Sequence, residues 1–102
     1  MIDPQTLPNH WALAGDQADN LTAELALELP TGHMLDGTAL TAVARRTDCD
    51  DVLFELSDGR FALVHLTWSG SRETDPAWPG TTVYDSLDHW RKADAAEQAV
   101  GA

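Results

Sequence analysis

Residues Asp50 to Ser69 read DDVLFELSDGRFALVHLTWS, and this stretch decides the fold. Two apolar runs meet at Asp58-Gly59. An Asp-Gly pair suits a two-residue type I′ turn, because both central residues of that turn need positive φ. With Asp58 and Gly59 as the loop, Ser57 pairs with Arg60, Leu56 faces Phe61, Phe54 faces Leu63, and Val52 faces His65. Opposed residues share one side of a sheet, so these last six form one face. Five of the six are large and apolar, which marks that face as core. The other face carries Asp51, Leu53, Glu55, Ala62, Val64, Leu66 and Trp68, a mixed set that reads as half covered.

Outward from the hairpin, the N-terminal side supplies a helix and a further strand. Asp16 or its neighbour is placed to cap a helix, and Asp19 suits its first turn. Leu21, Leu25 and Leu29 recur at four-residue spacing, with Ala18 and Leu27 in partial support and Glu24 and Glu28 on the wetter side. Pro30 and Gly32 end the helix. Its leucine stripe suits the apolar hairpin face. After a loop from His33 to Gly37, Thr38 to Arg46 reads as a strand, although its alanines weaken the pattern. The turn cluster Thr47-Asp48-Cys49-Asp50 then joins this strand to Val52–Ser57 in an antiparallel meander.

On the C-terminal side, Ser69 to Gly80 is a loop with two prolines and Trp78. Thr81 to Tyr84 suits a short fourth strand, and Asp85 is placed to cap a last helix carrying Leu87 and Trp90. Residues 93–102 are small and polar and are expected to fray, leaving one domain over residues 1–92. The predicted class is α+β: an N-terminal amphipathic helix packed on a three- to four-stranded antiparallel meander, with a short C-terminal helix.

The 102 residues suffice for one core, with 43% hydrophobic and 23% charged residues, as in an ordinary globular chain. No apolar run is long enough to span a membrane. The start, MIDPQTLPNHW, has neither the basic nor the apolar part of a signal peptide, so a cytoplasmic location is expected. The single Cys49 excludes an internal disulfide framework. Seventeen acidic residues against six Lys and Arg give a net charge of -11. Direct nucleic-acid binding needs a basic face, which six scattered cations do not make. Acidity serves solubility, and it also speeds encounter with a basic partner.

Chemical signatures are sparse. HExxH, CxxC, GxSxG, the P-loop and GxGxxG are all missing, so no catalytic set, metal site or cofactor is assigned. The cluster Asp48, Cys49, Asp50, Asp51 lacks the alternation of a calcium loop and reads as a solvated turn. The assumed register puts Cys49 and His65 on opposite sides, against a nucleophilic dyad, and leaves Asp50 diagonal to His65 as the expected polar pair. A histidine so placed is more often structural than functional. The strongest binding candidate is the loop after the hairpin. There Trp68 and Trp78 with Pro76 and Pro79 offer rigid apolar area, and Arg72, Glu73 and Asp75 offer a polar rim. The competing reading folds Trp78 back over the mixed sheet face.

The run DDVLFELSDGRFALVHLTWSG, continuing through Glu73 to Trp78-Pro79, resembles a signature of small uncharacterised bacterial proteins. The resemblance covers roughly Val43 to Trp90 and implies a compact α+β unit without bringing an activity. Three functions are therefore carried forward. The first is a non-enzymatic, immunity- or inhibitor-like module that engages a basic protein through Trp68, Arg72, Glu73, Trp78, Asp50 and His65. The second is a small enzyme or metal-binding protein centred on Asp50 and His65, with His33 as a further candidate. The third is a homo-oligomer joined through an edge strand or the mixed face.

Overall fold

A computed structural model describes residues 7–8, 10–68 and 79–101. The chain is α+β, with two helices and a five-stranded antiparallel sheet in the simple order β1-β2-β3-β4-β5. The strands are β1 (Trp11–Leu13), β2 (Leu40–Arg46), β3 (Asp51–Leu56), β4 (Phe61–His65) and β5 (Gly80–Tyr84). The helices are α1 (Ala18–Glu28), between β1 and β2, and α2 (Leu87–Gly101), after β5.

The expected three- to four-stranded meander thus gains a first strand, and a strand precedes the N-terminal helix. β1 pairs with the far edge of β2, Trp11 opposite Arg46 and Leu13 opposite Ala44. Three residues are too few to display an alternation, so its pairing is decided by tertiary context.

The hairpin forms where the apolar runs predict it, but in another register. Glu55 faces Phe61, Phe54 faces Ala62, Leu53 faces Leu63, Val52 faces Val64, and Asp51 faces His65. The loop has three residues, Ser57 to Gly59. Gly59 N–H donates to Leu56 O at 3.0 Å, and Leu56 N–H donates to Arg60 O at 2.8 Å. Only Gly59 takes a positive φ, +91°, as in a type I turn closed by a left-handed residue. Asp58 keeps an ordinary backbone, and its carboxylate instead accepts the Arg60 backbone N–H at 3.1 Å and Arg60 Nε–H at 2.8 Å. One residue of slip sends every β4 side chain to the opposite face. Phe61, Leu63 and His65 therefore leave the face of Phe54, and Ala62, Val64 and Leu66 join it.

This slip explains the layering. Under α1 lie Val52, Phe54, Leu56, Ala62, Val64 and Leu66, packed with Leu21, Leu25 and Leu35. On the other face Trp11, Ala44, Leu53 and Phe61 pack with Trp90 of α2. The α1 face is apolar and covered, whereas the α2 face, expected to be half covered, holds a smaller second core around Leu53 and Phe61 and leaves Leu13 and His65 exposed. Trp11 and Trp90 meet edge to face at 5.0 Å, and Trp11 Nε1–H donates to the buried Asp94 at 3.0 Å. These contacts fix the first two turns of α2, which is fifteen residues long.

β2 serves both layers through a register shift between Ala42 and Ala44. The shift puts Ala42 opposite Phe54 on the α1 side and Ala44 opposite Leu53 on the α2 side. The alanines that weaken the strand pattern are therefore its closest-packed positions, 3% and 0% exposed. Beside the shift, the Thr22 hydroxyl accepts Ala42 N–H at 3.0 Å while donating to Ala18 O at 2.7 Å, which ties α1 to the strand.

Helix entries differ from expectation as well. α1 has no side-chain cap and is entered through a 3₁₀ turn, Gly15–Gln17, with Gly15 at φ +52°. α2 is capped by Ser86 rather than Asp85, its hydroxyl accepting His89 N–H at 3.1 Å.

Candidate functional site

The register that splits the core also rearranges the polar end of the hairpin. His65 Nδ1–H donates to Asp51 Oδ1 at 2.7 Å. The carboxylate paired with His65 is therefore Asp51, not Asp50: opposed residues share a face, and the slip places Asp51 opposite His65. Asp50 lies one residue away on the α1 side, where its backbone carbonyl accepts Leu66 N–H at 3.2 Å. The Asp50–His65 constellation is not formed.

Trp68, at the exit of the hairpin, stays exposed at 50% and takes a left-handed backbone, φ +56°. A bulky residue there is held by its surroundings. The holding group is Glu28, wholly buried, whose two carboxylate oxygens accept Thr67 N–H and Trp68 N–H at 2.9 Å each. Glu28 was expected on the wetter side of α1. Its position corrects that, and the signal was present, since Leu21, Leu25 and Glu28 follow the i, i+4, i+7 spacing of a single helix face.

His33 is buried and has both ring nitrogens engaged. Leu35 N–H donates to Nδ1 at 3.0 Å, so Nε2 carries the proton and donates to Pro79 O at 2.9 Å. This joins the loop after α1 to the start of β5. The arrangement is structural and leaves no lone pair for a metal, separating His33 from His65 in role.

Between the start of α1, the end of β2 and the 47–50 turn lies a cleft of about 480 Å³. Arg45, Asn20, Asp50, Leu21 and Trp68 are among its walls. Arg46 also borders it, but its Nε and Nη2 donate to the two Asp48 oxygens at 2.8 Å each. That bond raises the Arg46 pKa and holds the Asp48 carboxyl below the usual carboxylate range. Cys49 is exposed, yet burial of its sulfur pushes the thiol pKa up; the negative charge of Asp51 adds to this against an opposing backbone hydrogen bond. A thiol raised in this way is a poor nucleophile at neutral pH.

Of the residues assigned to binding from sequence, the structure brings Asp50 and Trp68 to this cleft and turns His65 to the opposite sheet face with Asp51. Arg72, Glu73 and Trp78 lie outside the described residues, as does the alternative in which Trp78 covers the sheet. Arg45, Asn20 and Glu28 were not singled out by sequence reasoning. Arg45 is betrayed by no motif, and its place on the α1 side depends on the shift in β2. Among the described residues, no group of three or more His, Cys, Asp or Glu side chains could hold a metal ion. Nor, among them, is any helix long and apolar enough to cross a membrane.

No protein-family model matches the chain, and no curated protein or solved structure does so either.

Proposed function

We propose that the protein is a non-enzymatic binding module, immunity- or inhibitor-like, that engages a basic protein partner at the end of the sheet carrying Trp68. The observation that supports this reading most is the presentation of Trp68. Trp68 is half exposed, and its strained backbone is fastened by a wholly buried carboxylate, so the backbone part of its ordering cost is met before binding. Asp48 and Asp50 stand in the adjoining turn, and the chain as a whole carries -11. A partner presenting cations around an apolar pocket would complement both features.

A binding assay with a partner captured from source cells, repeated across salt concentration, tests the reading. The partner should be basic, its affinity should fall as salt rises, and Trp68→Ala should weaken it by at least about tenfold, or 1.4 kcal/mol. Binding that ignores both salt and Trp68→Ala would refute it.

A further inference from the structure

The cleft beside Trp68 holds two side chains of opposite charge that do not satisfy each other. Arg46 and Arg60 each grip a nearby aspartate at 2.8 Å, and Lys92 lies 3.2 Å from Asp88. Arg45 is only partly exposed, yet among the described residues it makes no ion pair in a chain with seventeen acids. Its pairing opposite Val52 puts it on the α1 side of β2. Asp50 lines the same cleft, and among the described residues its carboxylate takes part in no ion pair. Leu21 and the Trp68 indole supply apolar wall, and Asn20 adds an amide.

A volume of about 480 Å³ lies within the range of small-molecule sites. An uncommitted guanidinium suits a carboxylate or a phosphate, since its planar fork donates two parallel hydrogen bonds. Net charge decides between them. A multiply charged phosphate ester approaches a protein of -11 against its field, whereas a zwitterion is neutral overall and is not repelled. A zwitterion also uses Asp50, which a phosphate would face as a like charge.

We propose that this cleft binds a free apolar α-amino acid, with its carboxylate on Arg45, its ammonium on Asp50 and its side chain against Leu21 and Trp68. The inference does not rest on the protein-partner reading, and its assay uses the isolated full chain.

Calorimetric titration with phenylalanine, N-acetylphenylalanine and phenylalaninamide tests it, with the Trp68 indole N–H signal followed by NMR. Phenylalanine should bind and shift that signal, and each capped form should bind at least tenfold more weakly. Arg45→Met should erase the preference over the amide, and Asp50→Asn the preference over the acetyl form. Both changes are at the surface, and unaltered thermal melts will show that the fold is kept. Absence of phenylalanine binding, equal binding of the capped forms, or preferences that survive both substitutions would overturn the proposal.

Discussion

Glu28 shows how one side chain sets the local geometry of a surface. Its carboxylate is removed from water, which is tolerable only if its oxygens are bonded. They are bonded to the successive N–H groups of Thr67 and Trp68, at the point where the chain leaves β4. Bonds to a charged acceptor each contribute about 1.5–3 kcal/mol, and removing the acceptor leaves two donors without it. Glu28→Ala is therefore expected to lower stability by about 3 kcal/mol in urea denaturation. It should also release Trp68 from its left-handed backbone, seen as a shift of its amide resonance. A loss below about 0.5 kcal/mol, the range of an ordinary surface change, would mean that water replaces the carboxylate at no cost.

At the scale of elements, the hairpin loop governs which core each strand builds. Gly59 holds φ +91°, and a Cβ added there would meet nothing within 4 Å, so a substitution is opposed by backbone conformation alone. Gly59→Ala should then cost about 1–2 kcal/mol, and Gly59→Asn less, because asparagine tolerates the left-handed region. In thermal melts about 1 kcal/mol corresponds to roughly 4–8 °C for a chain of this size. An alanine variant as stable as the parent would show that the loop can close in another register. The apolar runs, the turn position and the antiparallel pairing were all legible in the sequence. The register was not, because Ser57-Asp58-Gly59-Arg60 suits both a two-residue and a three-residue loop. What separates them is the pair of apolar layers, each of which needs its own partner helix.

For the whole molecule, charge acts on folding and on binding with opposite signs. A net charge of -11 repels itself in the compact state, so raising salt should raise the melting temperature while weakening attachment to a basic partner. Melts in low and high sodium chloride at neutral pH measure the first effect, and a melting temperature that falls with salt would contradict it. Acid has a different limit. Asp48 is held below the usual carboxylate range first by its hydrogen bond from the Arg46 side chain, and Asp58 first by the Arg60 backbone N–H. Depressed folded values add stability that is present at neutral pH and lost as pH falls through them. Stability should therefore decline below about pH 4, the ordinary aspartate range, and Asp48→Asn with Asp58→Asn should flatten that decline.

By itself the sequence determined the α+β class, the leucine face of α1, the hairpin and the acidic surface, because each follows from local periodicity, turn chemistry or composition. Tertiary structure alone decided the rest. It added β1, whose three residues hold no period, and it shifted β4 by one residue so that two helices could each pack on an apolar cluster. That shift exchanged Asp50 for Asp51 beside His65. The accompanying burial of Glu28 and placement of Arg45 depend on neighbours distant in the chain, since a carboxylate or a guanidinium takes its role from the donors and acceptors that packing brings to it.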